Sequence, residues 1–177
     1  MPAIVPSTVL LLIFAVASTT RLGAQSSPPA ERGLAGVFIH DVAASDPVEV
    51  VVDRGVKLVR SPFKRMFARG RIRDMNTPHA WVQIEPRGDS VRVVTDLWDV
   101  TVPPTGSVLS RKPDGEEFQV SGSWQGDSFR QVWLARDGRR ENLFAVGEDG
   151  TTLTMDVAIH SSQLREPLRY RQVYRRR

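Results

Sequence analysis

The residues able to do chemistry are few and scattered. His40, His79 and His160 lie far apart in the sequence, without the short spacing that brings metal ligands together on one helix face or hairpin. There is no cysteine, which removes thiol nucleophiles, thiolate metal sites and disulfide frameworks from consideration. Ser123 and Ser128 flank the Gln125-Gly126-Asp127 turn and lack the Gly-x-Ser-x-Gly setting of an exposed nucleophile. Glu85, Asp96, Asp99 and Asp156 could supply a carboxylate pair for acid–base work, with His160 as a further proton carrier, but strand-edge carboxylates usually face water. No catalytic residue, metal or cofactor is therefore assigned. Chemistry of binding fits the residue types better. Trp124, Trp133, Met155, Tyr170, Gln172 and Tyr174 offer large apolar surfaces with a few neutral polar tips, the mixture expected of a wall around an apolar or amphipathic molecule.

A second kind of contact is suggested by charge. Arg54, Lys57, Arg60, Lys64, Arg65, Arg69, Arg71 and Arg73 fall within twenty residues. Lys64, Arg65, Arg69 and Arg73 among them are the candidates for holding an anionic lipid surface or an acidic partner. The formal net charge is only +4, and the high pI of about 10.1 reflects the arginines more than a large excess of charge. No basic motif studded with aromatics appears, so nucleic acid is not expected as a partner.

Residues 1–24 carry one apolar run, Val9 to Ala17, then Leu22-Gly23-Ala24. Nine residues fall short of the roughly 20 needed to span a bilayer as a helix, but they match the core of a secretory signal with a small residue before the cut. Cleavage after Ala24 is expected, with periplasmic or secreted localisation, and residues 25–32, carrying Pro28 and Pro29, read as a leader. The remaining 33–177 is of a size for one domain.

What must position the binding residues is legible from the periodicity. Leu34 to His40 reads as a first strand. Asp46-Pro47 and Ser61-Pro62 are helix-start signatures. After the first, Val48, Val51, Val52, Gly55 and Val59 share a face; after the second, Phe63, Met66, Phe67 and Gly70 recur at helical spacing among basic residues. Two helices covering about 46–74 follow. From Ala80 the period becomes two, punctuated by Gly, Pro and Asp turns about every twelve residues, so neighbouring strands join by tight hairpins and run antiparallel.

Counting the first strand, up to ten strands form a mainly β domain: a single antiparallel up-and-down meander of about 8–10 strands with a two-helix insertion after the first. Unpaired edges invite aggregation, so the meander is expected to close into a barrel. The helices are expected to lie over one mouth as a lid, with Phe63, Met66 and Phe67 turned down as its apolar roof. Lining and roof together define the candidate ligand site: Phe63, Met66, Phe67, Trp124, Trp133, Met155, Tyr170, Gln172 and Tyr174. A solid core docking through the basic helices is the alternative, and a barrel-mouth enzyme using Asp96, Asp156 or His160 is the third reading. A monomer is expected.

Several short motifs then resemble the calycin group, the lipocalins and fatty-acid-binding proteins, and in particular secreted lipocalin-like bacterial proteins. They are Gly36-Val37-Phe38 with Ala43-Ala44-Ser45-Asp46, the Trp124-Gln125-Gly126-Asp127 hairpin, Asp149-Gly150-Thr151-Thr152-Leu153-Thr154, and Arg171-Gln172-Val173-Tyr174-Arg175. The lipocalin Gly-x-Trp is replaced by Gly36-x-Phe38. The helix pair is similar to the portal lid of fatty-acid-binding proteins, and where that family's last strand presents Arg-x-Tyr to a carboxylate, this chain has Gln172 and Tyr174. The resemblance implies a barrel that binds a small apolar or amphipathic molecule, with Gln and Tyr fixing its polar end.

Overall fold

A computed structural model describes residues 33–103, 107–111 and 117–177; the expected signal segment 1–24 and leader 25–32 lie outside them. In chain order the elements are β1 (Gly36–His40), α1 (Val48–Leu58), α2 (Pro62–Asn76), β2 (Trp81–Arg87), β3 (Ser90–Thr95), β4 (Asp99–Val102), β5 (Ser107–Arg111), β6 (Glu117–Gln125), β7 (Ser128–Ala135), β8 (Gly138–Val146), β9 (Thr152–Ser161) and β10 (Leu168–Arg176).

All ten strands belong to one antiparallel sheet in the order β4-β3-β2-β1-β10-β9-β8-β7-β6-β5. The first and last strands pair, with Phe38 opposite Arg176 and His40 opposite Tyr174, so the meander curls into a nearly closed up-and-down barrel. The turns make this local. Gly88 and Gly126, at φ 55° and 59°, take the left-handed first position of two-residue hairpins, which set Arg87 opposite Ser90 and Gln125 opposite Ser128. Where β4 and β5 do not pair, side chains fill the seam. Trp98, just before β4, packs edge-on against Phe118 of β6 and Trp133 of β7 at 6.0 and 4.8 Å between ring centres.

Strand alternation sends one set of residues inward. Phe38, Val82, Ile84, Val91, Val93, Val120, Phe129, Phe144, Leu153, Met155 and Tyr174 form a buried core, and their removal from water is the main force closing the barrel. Arg176 closes the end remote from the helices. Its guanidinium donates to Ala35 O and Gly33 O at 2.6 Å and to Gly150 O at 2.8 Å, and lies 4.6 Å from the centre of the Phe38 ring.

The helices sit at the other end, beside the turn between β9 and β10. Val59 bridges to Leu164, Arg165 N donates to Leu58 O, and Arg54 reaches Arg169 O. The α1 face expected from periodicity is the one that packs: Val51, Val52 and Gly55 are buried, and the bare Gly55 backbone admits Ile72 of α2 and Leu168 of β10.

The expected roof is corrected. Phe63, Met66 and Phe67 are 71%, 70% and 67% exposed and point away from the barrel. The opposite face of α2 is the one that packs: Ile72 meets Gly55 of α1 and the core, Asn76 is buried, and at the edge of this face half-exposed Arg69 and Arg73 pair with Glu49 and Asp53 of α1. Asn76 is the only residue of α2 that is buried.

Candidate functional site

The inward faces of β7, β8 and β10 place polar side chains in register with apolar ones. On β8, Arg140 and Asn142 alternate in phase with Phe144 and Val146; on β7, Gln131 lies between Phe129 and Trp133. These polar groups join into a band beneath the helices. Asn142 Nδ2 donates to Gln131 Oε1 at 3.3 Å, and Arg140 donates through Nε to Asn142 Oδ1 at 2.8 Å.

From that position Arg140 also holds the lid. Its Nη1 donates at 2.8 Å to Met75 O, a terminal carbonyl of α2, where a cation favourably meets the negative end of a helix. Beside it the Tyr170 hydroxyl donates to Asn76 Oδ1 at 2.8 Å, while Asn76 Nδ2 donates to Ile72 O at 2.6 Å. Asn76→Ala would leave the buried Tyr170 hydroxyl without this acceptor. It is expected to cost about 1–3 kcal/mol and to speed amide exchange in α2 more than in β8 or β9; uniform exchange would count against a latch there.

On the far side of the barrel, His40 Nε2 donates to Gln172 Oε1 at 2.7 Å, and the His40 and Tyr174 rings stand 5.3 Å apart. Among the described residues of the inward wall, Gln131 Nε2 is buried with no hydrogen-bond partner, and the buried Tyr174 hydroxyl, beside the His79 backbone N–H, has no acceptor. Burial pushes the Tyr174 and Tyr170 phenols up from their ordinary values, so both stay protonated at neutral pH.

At the mouth, His79 Nδ1 lies 2.8 Å from Asp96 Oδ1, and Asp96 Oδ2 accepts from the Ala80 N–H at 3.2 Å. Burial pushes the His79 imidazole down; Asp96 opposes this and Arg140 reinforces it. The folded protein thus takes up this proton less readily than the unfolded chain. The stability gained from a neutral His79 is complete above about pH 6.5 and is lost as pH falls through the lower folded value. Denaturation midpoints are expected to drop between pH 7 and 5, and His79→Gln to flatten that drop; an unchanged slope in the variant would assign the effect elsewhere.

The residues named from sequence divide clearly. Met155, Tyr170, Gln172 and Tyr174 line the interior. Trp133 joins Trp98 and Phe118 at the seam, and Trp124 packs on Phe129 at 5.3 Å. Phe63, Met66 and Phe67 are outside. Of the basic candidates, Arg69 and Arg73 are engaged by α1 carboxylates, whereas Lys64 Nζ bonds Gln163 Oε1 at 2.7 Å and Arg65 Nε bonds Val59 O at 2.9 Å. Asp96, Asp156 and His160 do not converge: Asp156 is on the outer wall in a two-pronged pair with Arg171, and His160 stands 3.4 Å from Glu141. Sequence reading missed Arg140, Asn142, Gln131 and Asn76. The available signal for the three strand residues was a polar side chain in phase with an apolar alternation.

No family model matches the sequence and no curated protein matches it. Solved structures do match. The REP1-NXSQ fatty acid transporter aligns with a TM-score of 0.55 at 16% identity, over 82% of this chain and 97% of that one. The chain shares the up-and-down barrel fold of that structure. A Schistosoma mansoni fatty acid binding protein in complex with arachidonic acid aligns with a TM-score of 0.51 at 14% identity, over 84% of this chain and 98% of that one. A secretary abundant heat soluble (SAHS) protein from Ramazzottius varieornatus reaches 0.57 at 10% identity, over 82% and 96%. At these identities the likeness is one of fold, and the barrel of this chain carries its own set of inward polar groups.

Proposed function

We propose that this barrel is an exported protein that holds a small apolar or amphipathic molecule in its interior, beneath α1 and α2. The observation that carries the reading is the mixed inward wall, where Gln131 Nε2 and the Tyr174 hydroxyl are buried without an acceptor beside Arg140, Asn142 and Gln172. A packed core with no guest gains nothing from leaving polar groups unpaired. The neighbouring folds described as a fatty acid transporter and as a fatty acid binding protein with arachidonic acid support the same class of guest. Export rests on the Val9–Ala17 run and Ala24. Native mass spectrometry of protein purified from the medium or periplasm is expected to reveal a co-purifying lipophilic mass. The delipidated protein is expected to brighten a lipophilic probe that long alkyl chains displace. Absence of both results would overturn the reading.

A second reading concerns the lid. The exposed Phe63, Met66 and Phe67, with Phe63 and Phe67 rings 5.6 Å apart, stand beside Lys64 and Arg65, whose charges are bonded to neutral oxygens. This surface suits an anionic lipid bilayer, apolar tips entering the headgroup layer and cations meeting its charge. Co-sedimentation with anionic vesicles is expected to weaken with salt and with Phe63→Ser/Phe67→Ser. Equal binding to neutral vesicles, indifferent to salt, would remove the charge from this account.

A further inference from the structure

We infer that the short ladder joining the α1–α2 link to the β9–β10 turn belongs to a face that docks on an anionic lipid bilayer, so that the barrel meets the membrane end-on through helix and turn together. This rests on the reading of α2 as a bilayer-facing surface and extends the footprint to the strands of the barrel.

The cations of the chain divide by what they hold. On the walls, Arg92, Arg130 and Arg171 pair with Asp99, Glu141 and Asp156, and between the helices Arg69 and Arg73 pair with acids of α1. At the outer end of the helix pair the acceptors are neutral. Arg60 Nε donates to Leu164 O at 3.0 Å, Lys64 Nζ to Gln163 Oε1 at 2.7 Å and Arg65 Nε to Val59 O at 2.9 Å. The Arg165 side chain pairs with no carboxylate among the described residues. From Arg54 to Arg73 there is no Asp or Glu, and the turn 162–167 adds only Glu166.

The ladder decides where these charges point. Val59 and Leu164 face each other across it, with Arg60 N donating to Gln163 O and Arg165 N to Leu58 O, both at 2.9 Å. Val59 is buried and Leu164 packs against the core, so strand alternation sends Arg60, Gln163 and Arg165 to the outer side, where all three are exposed. Lys64 and Arg65 are bonded to the same ladder, which gathers four cations beside the exposed Phe63, Met66 and Phe67. Bonds to neutral oxygens fix three of these heads without spending their charge, and each keeps further N–H donors for an anionic oxygen. Gathering like charges costs folding energy, which an anionic surface relieves. A bilayer offers phosphate to the cations and hydrocarbon to the apolar tips; a soluble anion leaves those tips in water.

The test measures binding of the mature protein to phosphatidylcholine vesicles with and without phosphatidylglycerol. Arg165→Gln removes a charge and no described side-chain hydrogen bond; it is expected to weaken binding to the anionic vesicles about fivefold, the effect of one cation near such a surface, and Arg165→Glu about 25-fold. Arg177→Gln makes the same charge change at the sealed end, where Arg177 N donates to Val37 O, and is expected to leave binding as it is. The chain has no cysteine, so Ser162→Cys places a polarity-sensitive dye on the turn, and its emission is expected to move to the blue on the anionic vesicles. Binding that is lost in Phe63→Ser/Phe67→Ser but indifferent to Arg165→Glu, with the dye silent, would overturn the part of the turn and leave α2 as the docking surface. No binding to the anionic vesicles would overturn both. Release by glycerophosphoglycerol or by polyglutamate at matched charge would overturn the bilayer as occupant, in favour of a soluble phosphate ester or an acidic protein.

Discussion

Phe38→Ala is expected to cost about 3–5 kcal/mol of folding stability. Phe38 is fully buried on β1, which joins the β2–β4 part of the sheet to the β5–β10 part by pairing with both β2 and β10. Its ring also carries the Arg176 guanidinium that seals the far end of the barrel. Truncation removes an aromatic side chain from a close-packed wall, and surrounding strands tied by backbone hydrogen bonds can collapse only partly into the space. Chemical denaturation followed by tryptophan fluorescence should show a lower midpoint with an unchanged slope. Arg176→Met should destabilise less, and the double variant less than additively, because the two groups touch. A loss below about 1 kcal/mol for Phe38→Ala would place the ring outside the closure.

Gly122→Val is the second large effect, about 3 kcal/mol by overpacking. Gly122 lies on β6 opposite Gln131, and a Cβ built there would meet the Phe129 ring at 2.5 and 2.9 Å and Val102 of β4 at 3.2 Å. Its bareness lets Phe129 lie flat across β6 and brings β4 near the seam left by the unpaired β4 and β5. A side chain must push the ring, and with it Trp124, out of place. Phe129→Leu in the Gly122→Ala background is expected to recover part of the loss, a coupling that only contacting residues show. Independent, additive losses would mean that Gly122 matters for some reason other than this approach.

The strands were readable because their punctuation is chemical. Gly88 and Gly126 take backbone angles that other residues resist, so the hairpins at Arg87–Ser90 and Gln125–Ser128 declare themselves, and with them the antiparallel order. Pairing of the first strand with the last was expected from the cost of exposed edges; the edges that stay unpaired are β4 and β5, at the seam filled by Trp98, Phe118 and Trp133.

The orientation of α2 did not follow. Helical spacing shows that Phe63, Met66 and Phe67 share a face, but the choice between burying that face and the opposite one depends on Gly55, Glu49 and Asp53 of another helix, the first of which admits Ile72. The polar interior was hidden for a related reason. Arg140 and Gln131 look like solvent residues until the register places them in phase with Phe144 and Phe129. Gln172 and Tyr174 were found because the last strand drew attention to its own alternation, and the inward wall contains both.

Proton–nitrogen NMR of the mature protein, with side-chain amides resolved, tests the central claim most directly during titration with an alkyl ester. An interior guest beneath the helices predicts that the Gln131 and Asn142 side-chain amides, and the Tyr170 and Tyr174 backbone signals, move together and saturate at one equivalent, while outward Arg130 and Asp156 stay still. Shifts confined to the outward residues or to Phe63–Phe67, with the interior amides unmoved, would contradict it.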